Sequence, residues 1–115
     1  MNKAEAGYNM LMILSAVDNE FQDEEKVVIE NFIKKMWLDE YDDKAMSSSI
    51  DKLTPDDWMP RFEECMDYFY TEANEKERNE FLQFAMDLVK ADDVITEEEN
   101  LFLNTLFNAW DPDHQ

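Results

Sequence analysis

The chain has 115 residues, 44% of them apolar and 13% aromatic, with a formal net charge of -19. One domain with a real core fits that length, since a chain of this size buries roughly two-thirds of its unfolded surface. A single glycine and three prolines exclude a turn-rich β fold, and the apolar content excludes a disordered acidic tail.

The first predicted helix covers Lys3 to Val17, with Met10, Leu14 and Val17 on one stripe and Leu11 and Ile13 widening it. It runs into an acidic loop at Asp18-Asn19. A second helix spans Asp23 to Trp37, with acids at its positive end, Lys34 and Lys35 at its negative end, and Ile29, Phe32, Ile33 and Met36 inward. Leu38 to Asp43 reads as an acidic connection. A short helix over Asp43 to Lys52 turns Met46, Ile50 and Leu53 inward, although Ser47, Ser48 and Ser49 compete for its backbone bonds.

Thr54-Pro55-Asp56-Asp57 is a helix start. Pro60 would then remove a backbone bond and clash with the carbonyl of Asp56. The expectation is one turn at Pro55–Met59 and a new helix from Pro60 to Ala73, with Phe62, Cys65, Met66 and Phe69 inward. Trp58, Met59, Tyr68 and Tyr70 flank that stripe; their spacing favours core, and exposure of several together would mark a docking patch. Asn74 caps a helix from Glu75 to Ala91, whose stripe is Phe81, Phe84, Ala85 and Leu88. After a second acidic loop, Thr96 and Glu99 form a capping-box pair for a last helix, Glu97 to Ala109, stopped at Asp111-Pro112.

The two acidic loops match at a constant offset of 74. Asp18–Glu25 falls on Asp92–Glu99. Downstream, Val27, Val28, Ile29, Phe32, Ile33 and Met36 fall on Leu101, Phe102, Leu103, Leu106, Phe107 and Trp110. The fold expected is all-α: five to six antiparallel helices built from two pseudo-symmetric helix–acidic loop–helix hairpins. The hairpins pack about a pseudo-two-fold axis, with the middle helices filling the gap between them.

Each loop carries five carboxylates, Asp18, Glu20, Asp23, Glu24 and Glu25 or Asp92, Asp93, Glu97, Glu98 and Glu99. Phe21 and Ile95 plug the turns, and Asn19 and Asp93 suit a residue at positive φ. Neither loop is an EF-hand. Counting from Asp18 or Asp92, the sixth position is Asp23 or Glu97 rather than glycine, and the twelfth is Ile29 or Leu103 rather than glutamate. Helix capping accounts for the acids at the helix starts. Brought together, the clusters would repel unless a cation or a basic partner lay between them.

The doubled pattern of small residue, Asp, turn residue, apolar residue and helix-opening Glu resembles the TerB-like family of helical domains, related to tellurite-resistance proteins. The resemblance covers nearly the whole chain in length and helix order, and implies that residues 1–115 form one domain. The family's loop reads Ala-Asp-Gly; Ala91-Asp92-Asp93 keeps two of the three and Val17-Asp18-Asn19 keeps one. The resemblance implies a stress-response setting, no enzymatic activity, and acidic sites at Asp18, Glu25, Asp92 and Glu99.

Two functions follow. One is a non-enzymatic interaction domain that meets a basic protein partner through Asp18, Glu20, Glu25, Asp92, Asp93 and Glu99. The other is a divalent-cation module, for an ion such as calcium, using Asp18, Glu25, Asp92 and Glu99. A nucleic-acid mimic is allowed by charge but disfavoured by the placement of the acids at helix starts. Nucleic acid and anionic lipid are themselves repelled by this charge. Cys65 stands alone on an apolar stripe and His114 is the single histidine, so no nucleophile–base set is available. No apolar run reaches membrane-span length and no signal peptide is visible, so a cytoplasmic protein is expected.

Overall fold

A computed structural model describes residues 1–17, 23–90 and 97–110. Six α-helices form an all-helical bundle: α1 (Lys3–Ala16), α2 (Asp23–Met36), α3 (Asp43–Asp51), α4 (Pro55–Glu72), α5 (Glu75–Lys90) and α6 (Glu97–Trp110). A single 3₁₀ turn, Leu38–Glu40, joins α2 to α3. The predicted ends hold to within one residue, except at the start of α4.

The bundle is organised around α1. It touches α2, α3, α4, α5 and α6. From Tyr8 to Leu14 every residue is buried, Asn9 included. The expected stripe of Met10, Leu14, Leu11 and Ile13 is buried, with Val17 packed against the core, but it is only part of the buried surface: from Tyr8 to Leu14, α1 is covered on all sides. Five consecutive apolar residues, Met10 to Leu14, exceed one helical turn, and a helix that is apolar all round belongs in the interior. The central element is thus the first helix, and the middle helices pack against it rather than filling a gap between two halves.

The single glycine, Gly7, marks where neighbours come nearest. A Cβ there would lie 3.2 Å from Ile33 Cδ1, 3.3 Å from Phe81 Cε2 and 3.5 Å from Trp37 Cζ3. No described residue has positive φ, so the glycine serves close approach rather than an unusual backbone. Around it lies an aromatic cluster. The Phe69 ring stacks on Trp110 at 5.1 Å between centroids and meets Trp37 edge-on at 5.3 Å and Phe81 at 4.9 Å. The Trp110 indole donates to the Met66 carbonyl at 3.3 Å, which ties α6 to α4.

Pro60 does not break the chain into two helices. α4 continues from Pro55 to Glu72 with Pro60 inside it. The ring sits near the helix start with both Pro60 and Asp56 exposed, so water can satisfy the Asp56 carbonyl that loses its intrahelical donor. The Asp57 carboxylate accepts from the backbone N–H and the hydroxyl of Thr54, at 3.0 and 3.1 Å, which anchors the first turn. The Thr54 backbone bond, then its hydroxyl bond, hold the Asp57 carboxyl below the usual carboxylate range. The Asn74 expectation holds in the same form: its side chain accepts from the Glu77 N–H at 2.8 Å, and Glu77 accepts from the Asn74 N–H at 3.1 Å.

The N-terminus of α1 is fixed by a small polar network. Asn2 caps the helix by accepting from the Glu5 N–H at 2.8 Å. Lys3 reaches Glu77 at 3.2 Å and Glu40 at 3.8 Å. The Trp37 indole N–H also donates to Glu77. Burial pushes the Glu77 carboxyl up, but the bonds from Trp37, Asn74 and Lys3 outweigh it and leave the group below its ordinary value.

The repeat pairs do not share one environment. Val27 and Leu101 are both exposed, but Val28 is 50% exposed where its counterpart Phe102 is 7%. Conversely, Ile33 is fully buried while Phe107 is only partly so. The buried face of α6 is rotated relative to that of α2.

Candidate functional site

Of the six residues expected to meet a partner, Asp18, Glu20, Asp92 and Asp93 lie outside the described residues, as do Asn19, Phe21, Ile95 and the Thr96 cap. The other two are the helix-opening glutamates. Glu25 is half-buried, Glu99 is buried at 5% exposure, and both interact within the protein. Among the described residues, no group of three or more His, Cys, Asp or Glu side chains is arranged to hold a metal ion.

Cys65 is buried, and burial pushes its thiol up to about 12, so the thiolate is scarce at neutral pH. Trp58, Met59 and Tyr68 pack against the core, whereas Tyr70 is 41% exposed. These four do not form an exposed patch together.

The described surface has two features that could meet another molecule. The first is the outer ridge of α4. Asp56, Glu63 and Asp67 are exposed on one side of the longest helix, followed by Tyr70. They recur at intervals of three, four and seven, which keeps them on one face over about 21 Å. The ion pairs of Lys3 with Glu40 and Glu77 lie elsewhere, and among the described residues no cation forms an ion pair with this ridge. The Arg78 guanidinium lies 4.4 Å from the centroid of the Tyr70 ring and donates to the Tyr70 and Ala73 carbonyls at 3.2 and 2.7 Å, which holds the tyrosine in place.

The second is an open cleft of about 540 Å³ between α1, α3 and α4, lined in part by Glu5, Ser49, Lys52, Asp57, Arg61 and Glu64. Two of its lining residues, Ser49 and Arg61, join a polar relay built on the fully buried Asn9. The Asn9 amide donates to the Glu5 carbonyl at 2.8 Å and to the Ser49 hydroxyl at 2.9 Å. Ser49 in turn donates to the Met46 carbonyl at 2.6 Å, so the serine that looked unfavourable for α3 is satisfied by α1 and its own helix. Arg61 Nη1 donates to Asn9 Oδ1 at 3.2 Å and to the Ser49 carbonyl at 3.1 Å. Both hydrogens of Nη1 are thereby committed. Among the described residues Arg61 makes no ion pair, and its Nε/Nη2 edge makes no hydrogen bond.

Sequence reasoning passed over this cleft. The signals were an asparagine inside the apolar run of the first helix and the one cation of the fourth. Neither has a motif around it, and only the packing of α1 on α4 joins them.

No family model, curated protein or solved structure matches the chain. Among the described residues, no helix is long and apolar enough to cross a membrane.

Proposed function

We propose that this is a non-enzymatic, acidic interaction domain that docks on a basic protein surface. The carrying observation is the α4 ridge: Asp56, Glu63 and Asp67 face solvent on one side of a helix with no ion-pair partner among the described residues. In a chain of net charge -19, such a ridge steers a cationic surface into register and repels nucleic acid. The acidic loops, through Asp18, Glu20, Asp92 and Asp93, extend the same character in this reading. The buried Cys65 thiol supports a role without covalent chemistry. The TerB-like resemblance, a stress-response setting of the tellurite type and a cytoplasmic location belong to the same proposal.

A lysine-rich peptide is the probe that tests it. Neutralising Asp56, Glu63 and Asp67 together, to Asn, Gln and Asn, is expected to weaken peptide binding about tenfold at low salt. Neutralising Asp39, Glu75 and Glu80, which are exposed on the 3₁₀ turn and α5, is expected to change it by no more than about twofold. Equal losses in the two triple variants would mean that bulk charge alone attracts the peptide, and the reading would fail.

A further inference from the structure

We propose that the cleft between α1, α3 and α4 binds a cationic α-amino acid, with the free edge of Arg61 taking its carboxylate. The proposal is independent of docking through the α4 ridge.

Arg61 is held rather than loose. One of its terminal nitrogens is tied to a fully buried asparagine and to a backbone carbonyl at the end of α3. That leaves Nε and Nη2, the pair of donors whose spacing matches the two oxygens of a carboxylate. Lys52 lines the same cleft and adds a second cation.

Charge selects the rest of the ligand. Glu5, Asp57 and Glu64 also line the cleft, three carboxylates against two cations. A dianionic phosphate would meet Arg61 only by approaching those three acids. A ligand with one carboxylate and two positive groups satisfies both signs: the carboxylate faces Arg61, and the ammonium and basic side chain face the acids. Arginine and lysine have that charge pattern, and the cleft volume lies in the range of small-molecule sites. The surrounding field of a strongly acidic protein favours the same net positive ligand.

The test is a titration of the full chain with L-arginine, with agmatine, which is the same molecule without its carboxylate, and with inorganic phosphate. The readouts are the Arg61 Nε–H resonance and the amides of residues 48–53. L-arginine is expected to shift both. Agmatine is expected to bind about tenfold or more weakly, because a bidentate charge-assisted pair is missing. Arg61→Lys, which keeps the charge but loses the fork, is expected to bring arginine down toward the agmatine affinity. Agmatine binding the wild-type chain as tightly as arginine would overturn the proposal even if the Arg61 variant failed to fold. So would arginine binding that leaves the Arg61 resonance unmoved, or phosphate binding more tightly than arginine.

Discussion

Gly7→Leu is expected to destabilise the protein by about 3 kcal/mol or more, a large part of the 5–15 kcal/mol typical of a domain. The argument is steric. Even a methyl group at Gly7 would sit 3.2 Å from Ile33 Cδ1 and 3.3 Å from Phe81 Cε2, so a larger side chain must push α2 or α5 off α1. Gly7→Ala separates the two effects that act there. Alanine gains about 1 kcal/mol of helix propensity, and the added methyl loses a comparable amount through crowding. Its net change is expected to stay within about 1 kcal/mol. Urea unfolding of the two variants measures both values. A Gly7→Leu protein with the wild-type midpoint would mean that the helices do not approach as closely as described.

The second large effect is expected at Phe69. Phe69→Ala removes a fully buried ring that touches Trp37, Phe81 and Trp110. Losing a buried phenylalanine costs about 3–5 kcal/mol, because transfer and cavity terms add. Two of the three partners are tryptophans, so the same variant should alter intrinsic fluorescence in the folded state. Leu38→Ala is the contrast: it removes an exposed side chain and is expected to stay within about 0.5 kcal/mol of wild type. Comparable losses at the two positions would contradict the burial of Phe69.

The helices themselves were legible in the sequence because their ends carry chemistry. Asn74 caps α5 as expected, in a reciprocal pair with Glu77 that was not foreseen, and Thr54 with Asp57 three residues on anchors the expected start of α4. Other features were not legible, each for an identifiable reason. Pro60 is a helix breaker by local rule, but its cost depends on whether the orphaned carbonyl reaches water, which sequence does not record. The stripe drawn on α1 used helical periodicity correctly and still missed that Met10 to Leu14 leaves no polar face. The repeat equates Val28 with Phe102, yet one is half-exposed and the other buried, because α2 packs on α1 whereas α6 packs on α5, α1 and α4. The acidic loops were the strongest sequence signal, and their Asp18, Glu20, Asp92 and Asp93 lie outside the described residues. The Arg61–Asn9 cleft gave almost no sequence signal, because its residues come from three helices.

Amide hydrogen exchange along α1 tests the claim on which the fold and the cleft both depend, that the other helices are built around this one. Amides from Leu11 to Leu14 are expected to be the slowest in the protein, opening only with global unfolding. If those amides exchange ahead of α4 and α6, α1 is a peripheral helix and the arrangement described for the core and for the Arg61 anchor is wrong.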